Sequence, residues 1–270
     1  MYRNHFALTH RPFAETIDPS WLVALPGRTA ILHRLRYGLD SGPGMVSAFG
    51  PPGVGKTLLA RSLARDHGGP VVHLTYPAMP AAELLALLAN EFAELLGHAT
   101  SGGGDLPSSV HRIRAALASA SARGERPLLI VDEAHLIDDP ATFEAIRLLL
   151  NFASQGSPDL NLVLIGLPDL MMKLPDSVTD RVGAMCEILP LTASETSQYV
   201  LGRLERAGAK TRLFSSQSLE RLYFESSGLP RRINRLADLA LLIASSRKLP
   251  EATEEIVAMA AEDAALECAA

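Results

Sequence analysis

Apolar residues in this chain fall into two kinds of run. As far as about residue 189, short unbroken apolar stretches alternate with longer ones in which apolar positions recur every three or four residues; beyond Pro190 only the longer kind is found. A short unbroken run is the mark of a strand buried on both faces, and the three-to-four repeat is the mark of a helix with one buried face. Five runs read as strands: Met45-Val46-Ser47-Ala48-Phe49, Val71-Val72-His73-Leu74, Pro127-Leu128-Leu129-Ile130-Val131, Leu162-Val163-Leu164-Ile165, and a short one from Glu187 to Leu189. Helices are predicted from about Arg28 to Leu39, over the stretch beginning at Leu58, from Ala81 to Leu96, from a cap at Ser108 or Ser109 to about Arg123, and from Ala141 to Ala153. Strand and helix in alternation imply an α/β architecture, a five-stranded doubly wound parallel sheet flanked by helices.

The pattern changes at Pro190. Thr192-Ala193-Ser194-Glu195 fits the capping box, in which a hydroxyl and a carboxylate each take up an unpaired amide at a helix start. Helices follow over 194–207, 215–226, 230–246 and 251–267, so a small all-helical domain is expected over 191–270, after an α/β core over 28–190. The first 27 residues carry Phe6, Pro12, Phe13, Pro19, Trp21 and Pro26 without a period, as suits an irregular segment packed on a preformed surface. The stretch Thr100-Ser101-Gly102-Gly103-Gly104-Asp105 reads as a flexible insert.

Composition narrows the class. With 270 residues, 47% hydrophobic and 20% charged, the chain is globular and long enough for one large core and a smaller second one. A formal net charge of −5 offers no general attraction to nucleic acid or to an anionic membrane. Cys186 and Cys268 have no metal-type spacing, and two reduced thiols are expected. Neither a signal peptide nor the roughly 18 uncharged apolar residues of a membrane span is visible, so a cytoplasmic protein is expected.

The chemistry concentrates in two places. Gly50-Pro51-Pro52-Gly53-Val54-Gly55-Lys56-Thr57 fits G-x-x-x-x-G-K-[ST] and lies between a predicted strand and a predicted helix beginning at Leu58, the context this phosphate loop requires. Its glycines let main-chain amides converge on phosphate oxygens, Lys56 would neutralise the β and γ phosphates, and the Thr57 hydroxyl would join Mg²⁺. The second place is Asp132-Glu133, ending an apolar strand some 75 residues downstream. A carboxylate there can hold Mg²⁺ through its water shell, the role given to Asp132, and its neighbour Glu133 can act as general base toward water. Ala134-His135 completes the string Asp-Glu-Ala-His, in which His135 could meet the γ-phosphate or a partner, or be structural.

On these motifs the chain resembles the AAA+ ATPases, and within them the ExeA/GspA-type secretion ATPases and the TniB/TnsC-like group. The resemblance extends to His5-Phe6-Ala7-Leu8 with Arg11-Pro12-Phe13 and Asp18-Pro19, to Arg36-Tyr37-Gly38-Leu39, to Leu148-Leu149-Leu150-Asn151-Phe152, to Gly166-Leu167-Pro168-Asp169-Leu170, and to Gly228-Leu229-Pro230-Arg231-Arg232-Ile233-Asn234. It implies a helical lid after the P-loop core, ATP and Mg²⁺ as ligands, and a homo-oligomer with nucleotide between subunits. It places a lid arginine at Arg231, an arginine finger toward the neighbouring subunit at Arg181, and the segment before the loop beside the base. Simple packing of the terminus explains the aromatics of that segment equally well.

Two departures from the family pattern matter. The polar side chain expected after the glycine of the fourth strand is here Leu167, which cannot hydrogen-bond, so Asn151, Asn161 or His135 substitutes, or turnover is slow. The chain also ends at Ala270, where ExeA-type ATPases continue into a membrane anchor, so direct anchoring is not expected. The readings that follow are a secretion or assembly ATPase, a DNA-binding transposition regulator, and a slowly hydrolysing nucleotide-switched scaffold. A small-molecule kinase is the weakest, for want of an acceptor site. The basic residues a DNA contact would draw on, Arg112, Arg114, Arg123, Arg126, Arg203, Arg206, Lys210 and Arg212, are scattered among acids and read as a solvated face.

Overall fold

The computed structural model describes residues 2–98, 104–154 and 156–269. Most of the glycine-rich insert therefore lies outside the described residues. Two compact units are present: one comprises 29–50 and 59–188, the other the residues up to Arg28 together with 51–58 and 189–270.

The first unit is built on a five-stranded parallel sheet of β1 (Met45–Phe49), β2 (Val71–Leu74), β3 (Leu128–Val131), β4 (Asn161–Gly166) and β5 (Ala184–Glu187), in the order β2-β3-β4-β1-β5. Every residue of β3 and β4 is buried, which is why both read as unbroken apolar runs without alternation. Helices α2 (Pro26–Ser41), α3 (Lys56–His67), α4 (Ala81–Leu95), α5 (Leu106–Ala122), α6 (Pro140–Leu149) and the short α7 (Leu170–Lys173) and α8 (Asp176–Thr179) connect the strands. Gly38 of α2 explains part of the Arg36-Tyr37-Gly38-Leu39 string: a Cβ there would come within 2.7 Å of Val46 Cγ1 and 2.8 Å of the Ala184 Cβ, so only glycine lets the helix lie this close to β1 and β5.

Three expectations are corrected here. Helix α5 begins at Leu106, with Pro107 in its first turn, rather than at a serine cap; Ser109 sits inside it, fully buried, with its hydroxyl unbonded. Proline's preset φ made it the start signal. Helix α6 ends at Leu149, not Ala153, and its start is capped by Asp139, whose side chain accepts from Ala141 N at 2.9 Å. Strand β5 occupies Ala184–Glu187, three residues earlier than the apolar run suggested, with the ladder closing at Ile188 N to Phe49 O (2.7 Å). As an edge strand it is specified by pairing with β1, and Ala184-Met185-Cys186 carries little strand propensity of its own.

The second unit gathers α1 (Tyr2–His5), a 3₁₀ turn at Pro19–Trp21, and α9 (Ala193–Arg206), α10 (Ser216–Ser226), α11 (Pro230–Ser246) and α12 (Glu254–Ala269). The capping box is present as read: Glu195 N donates to Thr192 Oγ1 at 3.2 Å and Thr192 N to Glu195 Oε2 at 3.1 Å. Helix α11 buries Ile233, Leu236, Ala237, Ala240, Leu241 and Ala244 at helical spacing, and Tyr2, Phe6, Leu8 and Phe13 join the same apolar core. Gly228 ahead of α11 has φ +71°, and a Cβ on it would stand 2.0 Å from Leu191 O.

The N-terminal segment is fastened to this unit by charge as well as by apolar contact. Arg203, 2% exposed, donates from Nε to Pro12 O (2.6 Å), from Nη2 to Ala14 O (2.8 Å) and from Nη1 to Tyr199 Oη (3.3 Å), with its guanidinium 4.9 Å from the Trp21 ring centroid. Tyr199 in turn donates to Asn234 Oδ1 at 2.8 Å, giving the asparagine of the Gly228–Asn234 string a structural task. Arg206 reaches Ser20 O and Leu22 O, Arg11 pairs with Asp238 at 2.6 Å, and the Tyr2 hydroxyl bonds the same carboxylate. Burial and the Asp238 charge push the Tyr2 phenol well above its ordinary value.

The reading of Arg203 as part of a solvated basic face is thereby overturned, because the carbonyls of Pro12 and Ala14 claim its buried guanidinium; Arg206 bonds Ser20 O and Leu22 O yet stays exposed, as read. The others keep a solvated face: Arg114, Arg123, Lys210 and Arg212 are exposed and Arg112 and Arg126 half-buried, with surface bonds from Arg126 to Ser157, Arg123 to Glu125, Arg112 to Asn90 and Arg212 to Ser216.

Candidate functional site

The phosphate loop leaves the carboxyl end of β1 at Gly50, whose amide donates to Gly166 O (3.2 Å) at the end of neighbouring β4. Pro51 O accepts from Val54 N (3.4 Å) and from the Lys56 ammonium (3.2 Å), which closes the turn and folds the buried Lys56 side chain over its own loop. Pro52 is exposed at the tip. Two glycines are demanded by conformation. Gly53 has φ +76° and a Cβ there would press within 2.9 Å of Arg231 Cβ, while Gly55 has φ +99° and nothing within 4 Å of where a Cβ would stand. The open space at Gly55 is what a cradle for a ligand requires, since a side chain would fill it. Lys56, Thr57 and Leu58 form the first turn of α3, so the positive end of that helix lies at the loop.

Arg231 opens α11. Its amide donates to Gly53 O at 3.1 Å, and its side chain is 67% exposed, with Nε 3.9 Å from Glu15 Oε1, a pair too solvated to hold the guanidinium firmly. A residue with no signal in the sequence stands behind the loop. Arg28, 8% exposed, donates from one terminal nitrogen to both Val54 O (3.1 Å) and Leu189 O (2.9 Å). Burial pulls its pKa below the ordinary guanidinium value, opposed by Glu195 and Tyr199. Its partners lie 26 and 161 residues away, which no local pattern encodes.

The acidic pair ends β3 in the first unit. Asp132 is 2% exposed; its amide continues the ladder to Leu74 O (2.9 Å) and its Oδ1 accepts from Glu133 N (3.0 Å). His73 Nε2 of β2 stands 3.4 Å from Asp132 Oδ2, an ion-pair distance without hydrogen-bond alignment. Glu133 has φ 52°, ψ 35°, left-handed for a residue with a Cβ, and its carboxylate is 41% exposed. Such backbone strain is held where the surroundings over-determine it.

Of the three substitutes for a polar side chain at Leu167, only His135 stands beside it. Leu167 N is 3.4 Å from His135 Nδ1, and Glu133 Oε2 is also 3.4 Å from that nitrogen. Nδ1 accepts from the amide when unprotonated and donates to the carboxylate when protonated, so the two contacts belong to different states of the ring. Asn161 begins β4, at the opposite end of the sheet, and faces Arg126 Nη1 at 3.5 Å. Asn151 Oδ1 is taken by Arg181 Nη1 at 2.6 Å, while Arg181 Nη2 donates to Leu150 O at 3.1 Å. Arg181 thus caps the carboxyl end of α6, where a cation is favoured, and desolvation and Arg147 lower its pKa.

A sequence model of the AAA domain matches residues 39–174, taking in the phosphate loop and the acidic pair. This chain belongs to the AAA domain family. The AAA chain is 33% identical over 254 residues to General secretion pathway protein A of Aeromonas hydrophila, a match covering 92% of this chain and 45% of that protein. It therefore spans less than half the length of this curated relative. Among solved structures, the Aeropyrum pernix ORC2 protein in its ADPNP-ADP complexes superposes with a TM-score of 0.70 at 18% identity, covering 94% of this chain and 71% of that one. The Thermotoga maritima RuvB Holliday junction branch migration motor gives 0.60 at 18% identity, over 89% and 69%. At that identity the likeness is one of fold, the P-loop AAA+ arrangement of a parallel five-stranded sheet with flanking helices. No helix among the described residues is long and apolar enough to cross a membrane.

Proposed function

We propose that this AAA chain binds and hydrolyses Mg-ATP and couples nucleotide state to self-association and to the remodelling of a partner, as a cytoplasmic, ExeA-like secretion or assembly ATPase. The observation that carries the reading is the loop at Gly50–Thr57, with its positive-φ Gly55 and the room left there for phosphate oxygens. Backbone amides and the Lys56 ammonium would neutralise the β and γ phosphates. Thr57 and Asp132 offer the hard oxygen donors that suit Mg²⁺; no cluster of three or more His, Cys, Asp or Glu able to hold a metal exists among the described residues, so water and phosphate would complete the shell. Bound there, Mg²⁺ supplies charge neutralisation on the phosphates. Glu133 takes the proton of the attacking water, Arg231 stabilises phosphate charge in cis, and Arg181 does so toward a neighbouring subunit. For that last task Arg181 must be presented by Asn151 or released from it. The secretion context rests on the Aeromonas hydrophila relative.

Leu167 favours a second reading, a slowly hydrolysing nucleotide-switched scaffold. A TniB/TnsC-like DNA-binding regulator draws less support, because the basic side chains it would use are scattered along the chain, with Arg203 buried against Pro12 O and Ala14 O and Arg123 paired with Glu125. Lys56→Ala should weaken ATP binding by roughly 10- to 100-fold, the loss of a charged hydrogen bond, measured by equilibrium titration. Equal affinity in the altered and unaltered proteins would refute the reading. Phosphate release with and without double-stranded DNA separates the alternatives: none above a Glu133→Gln background supports the scaffold, and DNA-stimulated release supports the regulator.

A further inference from the structure

We propose that Arg28 is a positioning residue for the phosphate loop: its buried guanidinium fixes the Val54–Gly55 peptide and thereby the direction in which the Gly55 N–H is presented to nucleotide phosphates. The inference rests on reading the loop as a nucleotide site and adds the side chain that sets its geometry.

A trans peptide is planar, so the Val54 carbonyl and the Gly55 N–H point in opposite directions. Whatever grips the carbonyl aims the amide. Gly55, at φ +99° with open space around it, offers little steric resistance to rotation of that peptide. The preceding peptide, Gly53–Val54, is restrained at both of its polar groups by main-chain bonds: Gly53 O accepts from Arg231 N at 3.1 Å, and Val54 N donates to Pro51 O at 3.4 Å. Val54 O accepts instead from a charged side chain, Arg28 Nη2 at 3.1 Å. The same nitrogen holds Leu189 O at 2.9 Å, the residue at which the chain enters its helical portion.

Arg28 is itself held in place. It sits in the first turn of α2, and the preceding Gly27 amide faces Glu195 Oε1 at 3.4 Å, while the other oxygen of that carboxylate closes the capping box of α9. Glu195 and Tyr199 are the ionisable groups whose field favours the charge on Arg28. A guanidinium, always charged and carrying two hydrogens on one nitrogen, can serve both carbonyls together; an ammonium on a shorter reach serves one well.

The test titrates ADP and AMP into the full chain, unaltered and as Arg28→Ala, Arg28→Lys and Lys56→Ala, with thermal melting of each protein without nucleotide. Arg28→Ala is expected to weaken ADP by roughly tenfold, the scale of one charged hydrogen bond, and AMP, which lacks the β-phosphate, by much less. Arg28→Lys should fall between, and added methylguanidinium should restore ADP affinity to Arg28→Ala. Should Arg28→Ala not fold, an unchanged ADP-to-AMP ratio in Arg28→Lys would overturn the proposal. Equal weakening of ADP and AMP in step with a lower melting temperature, without rescue, would reduce Arg28 to a structural residue. If Lys56→Ala loses ADP while Arg28→Ala keeps it, the positioning role fails and the nucleotide site stands; if Lys56→Ala keeps ADP, both fall.

Discussion

Glu133→Gln should cut steady-state phosphate release by roughly 10²- to 10⁴-fold, the range of one general base, while ATP still binds. Glutamine preserves the volume and the left-handed backbone of Glu133, and the Asp132 Oδ1 contact is made to the main-chain amide of residue 133, which the change does not touch. What is lost is the capacity to take a proton, since an amide accepts a hydrogen bond without becoming a base. Parallel titration of ATP and assay of phosphate separate this from a folding defect. Turnover equal to that of the unaltered protein would remove Glu133 from the mechanism. His135→Ala offers a graded companion: with Leu167 apolar and Asn151 and Asn161 engaged elsewhere, His135 is the polar side chain beside both Leu167 and Glu133.

The second large effect concerns stability. Arg203→Ala should destabilise the helical unit by about 3–5 kcal/mol, the cost of breaking a buried, hydrogen-bonded charge site. Pro12 O and Ala14 O lose their donor, Tyr199 loses a partner, and the Trp21 ring loses the cation against it. Arg206→Ala, in which two exposed-side bonds to Ser20 O and Leu22 O are removed, should cost no more than about 1 kcal/mol. Denaturant unfolding gives the difference, and limited proteolysis should cut first within residues 12–22 of the Arg203 variant. Identical midpoints for Arg203→Ala and the unaltered chain would refute this account of how the N-terminal segment is held.

Much of the fold was legible because local signals agreed with one another. Wholly buried parallel strands write themselves as unbroken apolar runs, and a capping box needs only residues three apart, so β1 to β4 and the start of α9 were readable. Edge strand β5 was misplaced because partner and register, more than its own residues, define it. Ser109 was mistaken for a cap because a hydroxyl near a helix start carries the same letter whether it faces the first turn or is buried within it. Arg203 was misjudged for a related reason: an arginine reads as solvated until the carbonyls it reaches are known.

The sequence by itself determined the α/β architecture, the phosphate loop and the acidic pair ending a strand, because these depend on short-range periodicity and on glycine and lysine at fixed spacing. Only the tertiary structure decided which arginine stands behind the loop, which polar side chain stands beside Leu167, and what Arg203 holds. Those choices depend on contacts between residues far apart in the chain, 161 positions for Arg28 and Leu189 and 191 for Arg203 and Pro12. Burial, not residue type, then turns a surface charge into an anchor.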